Sequence, residues 1–223
     1  MKRISNVLVL VLVVAVFGAC GGGDDAADGR PKVVAAFYPL FEAATKVGGD
    51  HVNVSNVTPA GGEPHDIELS SRQVDRIEDA AVVLYFGRGF QPALEKAAER
   101  GKGTKIDLLA HAGPLLGAPP GDSELDVDPH VWLDPTLFKG MVSQVAGALA
   151  TADPANRADY ESRAATYGRE LDDLDSAFRQ GLAQCDRKVM VTSHAAFGYL
   201  AKRYGLTQEA IAGLEPESEP TPQ

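Results

Sequence analysis

Short apolar runs and helical stripes alternate along most of this chain. Val33 to Phe37 is an unbroken apolar run of the kind that forms a buried strand. Pro39 to Val47 reads as a helix, stopped by Gly48-Gly49. Val52 to Val57 alternates apolar and polar with the period of a strand. Ser70 to Ala80 opens on serines suited to an N-cap and sets Val74 and Ile77 three apart, as a helix with one buried stripe does. Ala81 to Tyr85 is another strand, Phe90 to Arg100 a helix, and Thr104 to Leu108 a strand. Strand and helix in regular alternation predict an α/β fold, with a mostly parallel sheet covered by helices.

Leu109 to Asp128 breaks the rhythm. It is rich in Gly, Pro and acidic residues and reads as a loop. Asp134-Pro135 then starts a helix with Pro at the first helical position, and Asp153-Pro154 starts or re-caps a longer one. Tyr160, Ala164, Tyr167, Leu171, Leu174, Phe178 and Leu182 follow at spacings of three or four. They make one apolar stripe, ~35 Å long at the helical rise per residue. So long a helix is unusual as a crossover connection and is a candidate domain bridge. Beyond it, Val189 to Thr192 reads as a strand, Ala195 to Tyr204 as a helix closed by Gly205, and Gln208 to Leu214 as a strand. Glu215 to Gln223 is a Pro- and Glu-rich loop. Two strands and one helix cannot cover both faces of a parallel sheet. Either this region completes the first domain or the sequence is truncated; truncation is the expectation.

The N-terminus lies outside the alternation. Lys2 and Arg3 precede an apolar run from Val7 to Phe17, shorter than the roughly 20 residues of a spanning helix. Gly18 and Ala19 then lead to Cys20. This is a secretion signal over residues 1–19. Small residues before a Cys resemble a lipobox, although Phe17 stands where Leu is usual; the other reading is an ordinary signal with a chance Cys. Residues 20–31 form a flexible acidic tether, and lipid on Cys20 would hold the folded part at a membrane. If Cys20 is lipidated, Cys185 is the remaining cysteine.

Composition narrows the partners. In 223 residues the formal net charge is −10, which argues against nucleic acid and is compatible with cation handling. Of five histidines, three sit in informative places. His65 lies in Gly61-Gly62-Glu63-Pro64-His65-Asp66, after the second strand. His194 lies in Thr192-Ser193-His194, directly after a strand. His130 lies in Asp128-Pro129-His130-Val131-Trp132-Leu133-Asp134-Pro135, after the long loop. Open α/β sheets bind ligands beyond the carboxyl ends of their strands. Three imidazoles converging there suit Zn(II). Glu63 is the best candidate for an extra oxygen contact, and Asp66, Asp128 and Asp134 could orient the rings. Taken singly, each His could equally be an ordinary loop residue; His51 and His111 read as surface residues. Capture by imidazoles predicts an affinity that falls as pH drops through the His range near 6.5. Three His with an open position is also the layout of a hydrolytic zinc site. The sequence carries no His-Glu-x-x-His helix, no Gly-x-Ser-x-Gly elbow and no phosphate loop to support that reading.

At these residues the sequence resembles a known family. Phe37-Tyr38-Pro39-Leu40, Gly48-Gly49-Asp50, Thr58-Pro59 and Glu63-Pro64-His65-Asp66 look like the N-terminal half of a zinc-uptake solute-binding protein. Such proteins form the metal-specific cluster of ABC-transporter binding proteins. The block from Asp128 to Pro135 resembles the one holding the second ligand. Ser193-His194-Ala195-Ala196-Phe197-Gly198-Tyr199-Leu200 with Arg203-Tyr204-Gly205-Leu206 resembles the one holding the third. The resemblance implies two parallel-sheet α/β lobes joined by a long rigid helix, with metal held between them. It divides the chain into an N-terminal lobe over 32–134, bridging helices over 135–186 and the start of a C-terminal lobe over 187–223. It gives His65 and His130 to the first lobe and His194 to the second. Manganese-specific relatives usually carry Glu in place of His194, so nitrogen there favours zinc. The implied protein is a monomeric, lipid-anchored, extracytoplasmic carrier and not an enzyme. It takes zinc as cargo and delivers it to an ABC permease in the membrane. The alternatives are a manganese or other divalent-metal carrier, a surface adhesin lipoprotein and, further off, a zinc hydrolase.

Three departures from the family pattern matter. Its acidic fourth ligand belongs to a part of the second lobe that this sequence lacks, and Pro216 to Gln223 resembles the turn leading there. The His-rich loop of many zinc members is replaced by the acidic Ala110 to Asp128, which carries only His111. Cys185 is expected either to be a free buried thiol or to pair with a cysteine in the missing segment.

Overall fold

The computed structural model describes residues 29–118 and 125–216. The residues expected to form a secretion signal, Cys20 and most of the expected tether lie outside the described residues. Four parallel strands make the first sheet: β1 (Lys32–Ala35), β2 (Asn53–Asn56), β3 (Val82–Tyr85) and β4 (Thr104–Asp107), in the order β2-β1-β3-β4. Val33 pairs with Val54 on one side and Val82 on the other. The two central strands are buried almost throughout, which is why they read as runs of Val and Leu without alternation. Helices α1 (Tyr38–Gly48), α2 (Ser71–Glu78) and α3 (Pro92–Arg100) connect them. α2 begins in a capping box: the Ser70 side chain accepts from the Gln73 N–H, and the Gln73 side chain accepts from the Ser70 N–H.

Helix α4 (Pro135–Ala152) and the 26-residue α5 (Arg157–Leu182) pack against each other and against α1. Asp134 caps α4 by accepting the Thr136 N–H at 2.8 Å. The predicted stripe on α5 divides into two parts. Tyr160, Ala164 and Leu171 are buried in the main core, whereas Leu174 is 43% exposed.

The chain then forms β5 (Val189–Thr192), α6 (Gly198–Tyr204) and β6 (Thr207–Ala210). β5 and β6 make a second, two-stranded parallel sheet with Val189 opposite Thr207. Gly205 closes α6 in the left-handed conformation at φ 68°. The fold is thus α/β, with two parallel sheets joined by a long helix. The sequence pattern places α6 three residues too early: the Ala195 N–H donates to Gly213 O at 2.7 Å, so residues 195–197 are held in a turn instead of a first helical turn. The acidic loop is ordered at its base, where Gly117 bridges Val127 and the Asp128 N–H donates to Leu116 O. Cys185 is a free, half-buried thiol that donates to Arg187 O. Among the described residues no helix is long and apolar enough to cross a membrane.

Candidate metal centre

Strand order decides where a crevice opens. β1 lies between β2 and β3, so the connections leaving β1 and β3 run to opposite sides, and the switch point for a ligand lies beyond the carboxyl ends of these two strands. Aromatic side chains fill its floor. Phe37 follows β1 and Phe86 follows β3; their ring centroids are 5.0 Å apart. Phe90 and Trp132 lie 5.3 and 4.9 Å from Phe37.

Three histidines meet over this floor. His65 stands on the edge of Phe90, with centroids 4.7 Å apart, and His130 lies 5.1 Å from Trp132. The loop carrying His65 is fixed by buried Gln91, whose side-chain amide donates to Pro64 O at 2.8 Å. Each of His65, His130 and His194 offers one nitrogen, and these three atoms lie within 4.8 Å of one another. His65 Nε2 and His130 Nε2 are 3.3 Å apart. His65 and His130 are buried, and His194 is half-buried at the mouth.

The tautomers follow from the partners. Asp128 Oδ1 accepts both the His130 main-chain N–H and the ring Nδ1–H, each at 2.9 Å. A carboxylate only accepts, so the His130 proton sits on Nδ1 and the Nε2 lone pair faces the cluster. His65 Nε2 is then the donor in the 3.3 Å contact, and its buried Nδ1 has no hydrogen-bond partner among the described residues. Burial, reinforced by the neighbouring His130 and His194, pulls the His65 pKa down to about 3. Burial and His130 also lower that of His194, against an upward pull from Glu63 and Asp128. Burial thus favours the neutral form of His65, the form that binds metal.

The other candidate residues have different places. Glu63 Oε1 accepts the His65 main-chain N–H at 3.3 Å and stands 4.0 Å from His65 Nε2. Asp66 is exposed. Asp134 does not orient a ring: it caps α4 and pairs with Arg203 at 3.3 Å. His51 pairs with Asp159 at 2.8 Å, and His111 is exposed. Reading the sequence for charged and metal-binding side chains missed Gln91 and Tyr199. The buried Tyr199 hydroxyl accepts the Leu116 N–H and donates to Asp128 O, each at 2.8 Å. Burial pushes its pKa up to about 12, which keeps it a neutral donor.

The chain is similar to proteins named for zinc uptake and zinc binding. The family model described as zinc-uptake complex component A, periplasmic (ZnuA) matches residues 33–223. The zinc-binding lipoprotein AdcA of Streptococcus pneumoniae strain R6 is 35% identical over 233 residues, covering 99% of this chain and 46% of that protein. The chain thus spans about half the length of that relative. The high-affinity zinc uptake system protein ZnuA of Bacillus subtilis strain 168 is 32% identical over 239 residues, covering 99% of this chain and 74% of its own length. The crystal structure of Zn(II)-bound AdcA from S. pneumoniae superposes with a TM-score of 0.74 at 37% identity, covering 86% of this chain and 41% of that one. With its family match extending from β1 to the last residue, the chain belongs to the ZnuA family of zinc-uptake components.

Proposed function

We propose that this chain captures Zn(II) outside the cytoplasm at His65, His130 and His194 and delivers it to an ABC permease in the membrane. One observation carries the reading: the 3.3 Å between His65 Nε2 and His130 Nε2, with the His194 ring closing the third side. Two nitrogens bound about 2.0–2.1 Å from a zinc at the tetrahedral angle stand about 3.3–3.4 Å apart. Neutral nitrogen ligands suit zinc better than manganese, which favours oxygen. Glu63 lies near enough to add an oxygen contact after a small side-chain movement.

The role is carriage and not catalysis. The matched relatives are named for zinc binding and zinc uptake, and the carboxylate beside the cluster is engaged by a main-chain N–H. One chain supplies all three rings, so a monomer suffices. Residues 32–134 and 187–223 act as the two lobes, with 135–186 as the bridge. Residues 1–19 direct export, and lipid on Cys20 keeps the carrier beside its permease.

Zinc titration against a chromophoric chelator tests the site. The expected result is one zinc per chain in the parent. His65→Ala, His130→Ala and His194→Ala should each lose more affinity than the roughly 10–100-fold that outer-sphere partners cost. Unchanged affinity in all three variants would end the assignment.

A further inference from the structure

We propose that Tyr199 is a positioning residue for the zinc site, holding Asp128, and through it His130, against the segment that carries His194. The inference rests on the zinc reading above. Asp128 is engaged at both ends. Its carboxylate fixes the main chain and ring of His130, with both contacts at 2.9 Å. Its carbonyl accepts the Tyr199 hydroxyl at 2.8 Å, and that hydroxyl also takes the Leu116 N–H. Asp128 and Leu116 are themselves joined, N–H to O, at 2.9 Å. A single phenol thus pins α6 to both strands of the acidic loop's base.

Gly198 permits the approach. A Cβ there would stand 2.8 Å from Asp128 Oδ2 and 3.4 Å from Leu116 Cδ1. Asp128 is buried and two hydrogen bonds hold its Oδ1, so its carboxylate cannot swing aside freely. His194 precedes Tyr199 by five residues, with Ala195 anchored to Gly213. Segment 194–199 therefore supplies one ligand and the strut that fixes another. The joint is made of protein groups, so the three imidazoles stay gathered before metal arrives. Preorganisation of this kind acts on affinity and coordination geometry as well as on folding.

The test compares Tyr199→Phe, Gly198→Ala and Tyr204→Phe with the parent in the full chain. Tyr204 lies on the same helix but donates to Asp175 on α5, away from the histidines. Two quantities are read: zinc affinity by chelator competition, and the visible ligand-field spectrum of the Co(II)-substituted chain. Tyr199→Phe should weaken zinc by about tenfold and alter the Co(II) bands. Tyr204→Phe should lower the thermal midpoint while leaving affinity and spectrum at parent values. Gly198→Ala tests the joint from the other side, because it keeps the hydroxyl and favours helix yet presses on Asp128. It too should weaken zinc, and it decides the matter if Tyr199→Phe does not fold. Parent-like affinity and spectrum in Tyr199→Phe or, failing that, in Gly198→Ala would overturn the positioning role and leave the zinc site standing. A loss in Tyr204→Phe equal to that in Tyr199→Phe would reduce the effect to stability and overturn it as well. Failure of the parent chain to bind zinc would instead overturn the zinc reading beneath it.

Discussion

At the scale of the residue, burial sets how ready a side chain is for metal. His65 is sealed against Phe90 with two other imidazoles beside it, and its pKa falls from the ordinary 6.5 to about 3. In the unfolded chain the same group takes up a proton near 6.5. Between these values the unfolded state binds the extra proton, so the metal-free fold loses stability as pH falls through that window. The slope from this one group is at most about 1.4 kcal/mol per pH unit. Urea midpoints of the metal-free chain measured from pH 7 down to 4 should show it, and His65→Leu should flatten it. An equal slope in that variant would place the proton uptake elsewhere. The sequence singled out His65, His130 and His194 because strand ends and loops mark where ligands gather. It was silent about Tyr199, because a Tyr within the apolar run Phe197 to Leu200 looks like packing, and nothing local tells that its hydroxyl meets residues 71 and 83 positions away.

Elements were legible where one periodicity ran through them. β5 spans the residues its apolar run predicts, and the strand–helix alternation from Lys32 to Asp107 matches the chain to within a few residues at each end. The start of α6 was not legible, because a tertiary hydrogen bond to Gly213 competes with the helix there. On α5 the stripe gives the helix but not what covers it. Leu171 is buried against the core, whereas Leu174, one turn further on, is 43% exposed. Leu171→Ala should therefore cost about 2–3 kcal/mol, as a buried Leu does, and Leu174→Ala less than about 1 kcal/mol. Chemical denaturation of the two variants separates the halves of the helix. Equal losses would mean that the far half of the stripe is covered in solution.

At the scale of the molecule, polar contacts as well as the Phe178–Tyr204 stack seat the second sheet. Arg203 on α6 pairs with Asp175 on α5 at 2.7 Å and with the Asp134 cap at 3.3 Å, and Tyr199 adds its two hydrogen bonds. Strongly paired groups of this kind fix orientation more than they add net stability. The opposite face of the sheet is open: Val189 and Val191 are 56% and 73% exposed beside exposed Thr207 and Glu209, and Ile211, just past β6, is 61% exposed. Among the described residues, both outer edges of β5 and β6 lack a strand partner. Exposed β-branched side chains beside open edges promote strand-to-strand association. The chain should therefore self-associate as its concentration rises, through this sheet and not through the zinc site. Val191→Lys puts a charge at the centre of the patch without touching α6 or the histidines. Sedimentation velocity should show the parent growing beyond a monomer with concentration and Val191→Lys remaining monomeric, with zinc affinity the same in both. A parent that stays monomeric throughout would mean that two short strands, held by Arg203 and Tyr199, protect their own edges.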